Sequence, residues 1–325
     1  MKRLLMALGA LWLLVQPGSA SAAYPDRAIT VVLPLAAGGP ADAVARVLGE
    51  AMSRDLGRPI VIQNITGAGG TIGIATAARA APDGYTLLLH HIALATTASL
   101  YRQLPYDPRG AFAPVGLITE LPLAVFARQN LGADDPRGLI ELLRTRTPPL
   151  SMANAGLGSA SHLCGLLLLD RLPGARIAEV GYRGTAPAMN DVVSGQVDLL
   201  CDSPTRGTVG LVETGRVRPI FAVGRERLSI LPDTPSTAEI GVQGFDLGIW
   251  HALQAPRGTP EPVIARLVTA LQAGLRDEQV VARLADMGTR PFPPEQVTPE
   301  AVRTLVDSEI TRWGNIIRAA GIQPE

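Results

Sequence analysis

The stretch Thr30-Val31-Val32-Leu33-Pro34-Leu35-Ala36-Ala37-Gly38-Gly39-Pro40-Ala41-Asp42-Ala43-Val44-Ala45 decides how the chain is read. Residues 30–35 are β-branched and aliphatic, the composition of a strand. Small residues follow, and Pro40 suits the first position of a helix, where its missing N–H would be unpaired anyway. Val44, Ala45, Leu48 and Met52 then share one helical face, and Gly57 stops the helix after Leu56. The same unit recurs. Residues 59–64 predict a strand, Thr66-Gly67-Ala68-Gly69-Gly70 a loop, and a small-residue helix runs to Ala80. Pro82-Asp83-Gly84 turns into a strand at 85–89. Farther on, strands at 150–153, 178–182 and 197–201 lead into Asn154-Ala155-Gly156-Leu157-Gly158-Ser159, Arg183-Gly184-Thr185-Ala186 and Asp202-Ser203. Each loop is followed by a helix: one to Leu172, one opening at Pro187, one opening near Pro204. Alternation of this kind builds mostly parallel sheets flanked by helices, an α/β fold. Residues 115–127, with Pro114 and Pro122 at hand, predict a strand leaving one lobe for another, and 245–255 the return. Helices at 260–276, 278–288 and 299–320 finish the chain. The expected organisation is a first lobe of 24–122 and 245–298 and a second of 123–244 and 299–325.

The length of 325 residues suits about two domains of roughly 150 residues each. At 47% hydrophobic and 18% charged the chain reads as globular. Equal numbers of basic and acidic residues (29 each) and 4% aromatics argue against a nucleic-acid partner, which needs a basic face with stacking rings. The only lysine is Lys2. That excludes a lysine Schiff base, pyridoxal-phosphate attachment and a P-loop lysine from the rest of the chain. Lys2-Arg3, an apolar run over 4–15 and Gly18-Ser19-Ala20-Ser21-Ala22 read as a secretory signal peptide over 1–22, cut after Ala22 or Ala23. Export makes a Cys164–Cys201 disulfide possible. Closing that loop would constrain the unfolded chain by about 4 kcal/mol; the alternative is two buried thiols.

Parallel sheets collect ligands at the carboxyl ends of their strands. There, Ala37, Gly38 and Gly39 in one loop and Gly67, Ala68, Gly69 and Gly70 in another expose backbone N–H groups at helix N-termini, an anion site that needs no basic side chain. Plain turn chemistry is the alternative. A dinucleotide fingerprint starting at Gly67 fails at Ile72. No G-x-S-x-G, H-E-x-x-H or C-x-x-C motif is present. His90 and His91 adjoin in a strand and point to opposite faces, which disfavours a shared metal. At least one, with His91 the candidate, lines the cleft unless both are structural. Asp42 falls in a first helical turn. Asp202 either caps the next helix or accepts from a ligand, and Arg183 is either a solvated residue or a ligand contact.

These residues together resemble the Bug, or TctC-like, family of extracytoplasmic solute receptors of tripartite tricarboxylate transporters. The resemblance rests on Tyr24-Pro25-Asp26-Arg27, Ala37-Gly38-Gly39-Pro40-Ala41-Asp42, Asn64 with Gly67-Ala68-Gly69-Gly70, and Pro82-Asp83-Gly84-Tyr85. It continues through Ser161-His162-Leu163, Tyr182-Arg183-Gly184-Thr185-Ala186-Pro187, Gly195-Gln196-Val197-Asp198, Leu231-Pro232-Asp233-Thr234-Pro235, Trp250 and Trp313. The family implies a two-lobed periplasmic binding protein of type II, with a ligand cleft between the lobes. It implies a small carboxylated solute gripped by the two glycine loops, no cofactor, no catalysis, and delivery to a transporter in the membrane. By position, the loop containing Gly158, Ser159 and Ser161, the Thr185-Ala186 loop and Asp202 would face the solute's far end. His90-His91-Ile92-Ala93 and Asp202-Ser203-Pro204-Thr205 depart from the common pattern, so no relative's ligand transfers. A monomer is expected. The alternatives are a sensory receptor that presents its closed form to a signalling partner, and an exported hydrolase built on Ser159 and His91.

Overall fold

The computed structural model describes residues 24–182 and 184–324. The expected signal peptide over 1–22 and Arg183 lie outside the described residues. The first half runs β1 (Ile29–Leu33), α1 (Pro40–Leu56), β2 (Ile60–Asn64), α2 (Thr71–Ala78), β3 (Thr86–His91), α3 (Ala93–Leu100), β4 (Phe112–Leu121) and β5 (Leu123–Arg128). It continues with α4 (Pro136–Thr145), β6 (Leu150–Asn154), α5 (Ala160–Arg171), β7 (Ile177–Gly181), α6 (Thr185–Ser194), β8 (Leu199–Asp202), α7 (Arg206–Glu213) and β9 (Val217–Val223). After the return come β10 (Ile249–Pro256), α8 (Glu261–Arg276), α9 (Glu278–Ala285) and α10 (Pro299–Ala319). α3, α4 and β9 are additions to the elements expected from sequence.

Two five-stranded sheets result, ordered β2-β1-β3-β10-β4 and β7-β6-β8-β5-β9. In each, the first three strands are parallel and one strand runs against its neighbours: β10 in the first sheet, β5 in the second. The reversal has a simple cause. These are the strands by which the chain enters each sheet from the other, so they start at the end where the remaining strands finish. The predicted continuous strand at 115–127 is two strands in two sheets, broken at Pro122, which has no N–H to give either ladder.

A hydrophobic cluster fills the space between one face of the first sheet and α1, α8 and α9, with Val44, Leu48, Leu89 and Leu271 fully or nearly fully buried. A larger cluster is continuous from the first sheet into the second, taking in Leu121 and Leu123 on either side of Pro122. The last helix departs from expectation. Residues 299–325 are expected in the second lobe, yet α10 packs chiefly on α3 and β4 of the first lobe. Its apolar stripe of Val302, Val306, Ile310, Trp313 and Ile317 explains the placement. Trp313 and Trp250 both donate Nε1–H to the buried Glu309 carboxylate, at 2.8 and 3.4 Å.

Cys164 of α5 and Cys201 of β8 are joined in a disulfide, and both are fully buried. Replacing both by alanine is expected to lower stability by about 2–4 kcal/mol, read from urea unfolding. Titration of denatured, unreduced wild-type protein is expected to find no free thiol.

Candidate functional site

The loop between β1 and α1 is shaped from inside by Asp42. Its carboxylate accepts the Gly38 N–H at 3.0 Å, two N–H groups of Arg46 at 2.9 and 3.1 Å, and the Asn64 side-chain amide at 3.0 Å. Burial alone would raise the Asp42 pKa; the bonds from Arg46, Gly38 and Asn64 outweigh it and hold the carboxyl below its usual range. Arg46 is thereby committed to Asp42. The amides of Ala37 and Gly39 donate to no other group among the described residues, and Gly39 leaves the start of α1 without a side-chain cap.

The loop after β2 winds differently. Gly67, Ala68, Gly69 and Gly70 all have positive φ, at 120°, 46°, 61° and 95°. Such a run turns successive N–H groups toward a common point and makes an anion-binding concavity. Ala68 carries a Cβ in this region at a strain of about 1–3 kcal/mol, the kind of cost that gathers at functional sites. Gly70 donates to Gly67, while the Ala68 and Gly69 amides have no partner among the described residues. A Cβ on Gly69 would lie 2.6 Å from the Tyr101 hydroxyl and 3.5 Å from the Leu157 carbonyl of the second lobe. The two lobes' loops therefore face each other at this point. Gly158 abuts the first lobe in turn, its Cβ position 2.9 Å from Leu100 and 3.5 Å from the Thr96 hydroxyl of α3.

The second-lobe loop behaves unlike the first two. Ala155 N–H donates to Ser161 Oγ at 2.8 Å, Gly156 to Asn154 Oδ1 at 3.0 Å, Gly158 to His162 Nδ1 at 3.2 Å and Ser159 to Gly156 O at 3.0 Å. Ser159 caps α5 by accepting from the His162 amide, and its hydroxyl lies 3.1 Å from that of Ser161. Gly158, Ser159 and Ser161 thus spend their polar groups on the loop itself. Ser159 is engaged by Ser161 and a backbone amide rather than by His91, which counts against the hydrolase reading. Thr185 and Ala186 open α6, whose N-cap, Gly184, provides no side chain. Glycine N-caps without a side-chain cap occur at α1, α2 and α6, whereas α5 and α7 are capped by Ser159 and Thr205.

The two histidines do separate across the sheet. His90 is buried, its Nδ1–H directed at the His91 carbonyl at 3.1 Å and its Nε2 accepting from Gln254 at 2.8 Å, with Trp250 edge-on 5.4 Å away. It is structural. His91 is partly exposed, and its Nδ1 accepts from the Ala93 amide at 3.0 Å, so Nε2 carries the proton. Burial pushes His90 down to about 3 and His91 to about 4, and both are neutral near pH 7. Asp202 ends β8 beside Ala124, partly exposed. Burial pushes its carboxyl up to about 7, against an opposing bond from the Ser203 amide. Thr205, not Asp202, caps α7.

Sequence reasoning missed the clasp of Asp42 by Arg46 and Asn64, although the four-residue spacing of Asp42 and Arg46 was a usable signal. It also missed His251, which strand pairing sets opposite His91. Two open surface grooves, of about 710 Å³ beside α8 and α10 and about 1000 Å³ beside α1 and β2, are lined by none of these loops.

Asp42→Ala would strand the Gly38 amide, Arg46 and Asn64, an expected loss of about 1–3 kcal/mol in urea unfolding. A lowered carboxyl pKa contributes stability above the unfolded value of 3.8 and loses it as pH falls through the folded value. The variant's deficit is therefore expected at pH 7 and to shrink in acid.

The model of the tripartite tricarboxylate transporter family receptors, TctC, matches residues 44–322. A UPF0065 protein of Agrobacterium vitis from the TAR-I ttuE-ttuC' intergenic region is 40% identical over 298 residues, covering 92% of this chain and 86% of the relative. The solved structure of the periplasmic binding protein BugD is 41% identical, with a TM-score of 0.85 over 93% of this chain and all of that one. MatC from Rhodopseudomonas palustris, solved with bound malate, is 39% identical, with a TM-score of 0.82 over 90% of this chain and all of MatC.

Proposed function

The chain belongs to the tripartite tricarboxylate transporter receptor family, a family of periplasmic solute-binding receptors, and on that footing we propose that it captures a small carboxylated solute between its lobes and delivers it to a membrane transporter of the tripartite type. One observation carries the reading: four amides without a partner among the described residues, at Ala37, Gly39, Ala68 and Gly69, on two neighbouring loops of one sheet. A carboxylate accepting from several of them gains about 1.5–3 kcal/mol from each. The open starts of α1 and α2 add their partial positive charge. Three or four such bonds suffice for micromolar affinity, about −8 kcal/mol. The bound malate of MatC is a carboxylate of this class.

Closure follows from the crossings at Pro122 and over residues 224–248. A solute touching both lobes binds the closed arrangement better than the open one and shifts the population toward it. The closed form is then what the transporter distinguishes. The second lobe would meet the solute through the open start of α6, at Thr185 and Ala186, and through Asp202. Gly158, Ser159 and Ser161 would shape the crevice wall rather than donate.

The test is a thermal-shift and calorimetric screen of small organic acids against their carboxamides. An acid is expected to raise the melting temperature, and its amide to lose most of the shift; equal stabilisation by both would remove the anion grip. A Cβ on Gly39 meets only the Ala36 carbonyl, at 3.7 Å, and its φ is an ordinary −83°. Gly39→Leu is accordingly expected to fold normally and lose at least about tenfold in affinity, or about 1.4 kcal/mol.

Asp202 makes binding depend on pH. Its folded pKa lies above the unfolded 3.8, so between 3.8 and about 7 the native state holds an extra proton and this group's contribution to stability falls as pH rises. Below about 7 the neutral carboxyl can donate to the solute; above it, the carboxylate repels an anion. Affinity is expected to fall between pH 6 and 8 in calorimetry, and Asp202→Asn to flatten that dependence.

A further inference from the structure

The lobes meet at a second seam, away from the glycine loops. After α9 the chain runs beside β4, an outer strand of the first sheet: Thr289 Oγ1 donates to the Glu120 carbonyl at 2.6 Å, and Pro291 pairs with Thr119. In the second lobe α7 packs on the outer strand β9, and residues 228–231 follow that strand. These segments touch. Asp286, just past α9, accepts a hydrogen bond from the Arg206 guanidinium at the start of α7, in an ion pair that joins the lobes. A Cβ on Gly288 would lie 3.0 Å from the Ile230 side chain. A groove of about 380 Å³ runs along the seam, with Arg206, Glu213 and Ile230 on one side and Ala285 and Asp286 on the other.

Neither charge suits its own helix. Arg206 is the first residue of α7, at that helix's positive end, and Asp286 caps the carboxyl end of α9, its negative end. A helix end disfavours charge of its own sign. Charges set against a local preference point to a demand made elsewhere in the fold. Here the compensation lies across the seam, each charge being met by one from the other lobe. Both side chains are exposed, and an exposed pair adds little to the stability of a fold. Two arrangements of a pair of lobes, however, lie close in free energy, so a small bias moves their balance. The pair is present in the arrangement that also brings Gly69 against the Leu157 carbonyl and Gly158 against Leu100. It breaks once its atoms part by more than about 4 Å.

We propose that Arg206 and Asp286 are positioning residues for closure: their ion pair latches the lobes and raises the closed fraction that meets the solute. The proposal rests on the closure described above and names the residues that set its balance.

The test is a distance between spin labels on the two lobes, measured by pulsed electron spin resonance without solute. The chain's two cysteines are bonded to each other, so thiols introduced by Val61→Cys in β2 and Ala178→Cys in β7 can be labelled selectively. Both positions are exposed, on the outer strands farthest from the seam. Arg206→Asp and Asp286→Arg are each expected to lower the closed-to-open ratio at least about twofold, the scale of an exposed ion pair. The double exchange is expected to restore it, since it re-forms the pair and gives each helix end the charge it favours. In calorimetry with malate, Asp286→Arg is expected to weaken binding, whereas plain attraction of an anion would strengthen it. Distances that respond to neither reversal, a double exchange that restores nothing, or tighter malate binding by Asp286→Arg would overturn the latch. Organic acids that still bind in those cases would leave the receptor reading standing. A distance response with no acid bound would keep the latch and remove the carboxylate grip.

Discussion

A helix cannot satisfy its own first N–H groups, and what a fold does with them decides where it can hold an anion. In this protein α5 and α7 close their starts with Ser159 and Thr205, and the loop before α5 folds its remaining amides onto Asn154, Ser161 and His162. α1 and α2 do the opposite. Glycine stands at both N-caps, and the amides of Ala37, Gly39, Ala68 and Gly69 have no acceptor among the described residues. The two glycine loops of the first lobe therefore keep amides without an acceptor among the described residues, while the loop before α5 is closed on itself.

That division depends on holding the first-lobe loops in place without using up their donors. Asp42 manages this by taking one amide, that of Gly38, and anchoring the loop through Arg46 and Asn64 behind it. Arg46 is thus part of the scaffold. On the second lobe the Cys164–Cys201 bond ties α5 to β8, the strand that ends at Asp202. Hydrophobic packing is continuous across Pro122, where the chain crosses from one sheet to the other.

Much of this could be read from the chain beforehand because it is local. A strand, a glycine loop and a proline-led helix announce themselves within a few residues, and so do the opposite orientations of His90 and His91. What escaped depends on strand order and on packing. Nothing near His251 in sequence indicates that β10 will lie against β3 and set it opposite His91. The sequence indicates a helix at 299–320, but helical propensity does not name the surface a helix covers, and α10 packs on α3 and β4 of the first lobe rather than on the second. The glycine loops illustrate a subtler limit. Gly67–Gly70 and the loop through Gly156 and Gly158 look alike in composition, and only the hydrogen bonds reveal that one is open and the other closed on itself.

The reversed strands carry a consequence for how the molecule comes into being. β10 sits inside the first sheet, between β3 and β4, although the whole second sheet precedes it in the chain. A nascent polypeptide that has emerged as far as residue 248 can complete its later-named half but not its earlier one. Its amino-terminal portion stays a sheet with a missing middle strand and an uncovered flank until β10 and then α10 arrive. Neither half can be made as a separate fragment by cutting the chain once, and any circularly permuted version must keep β10 able to reach the slot that waits for it.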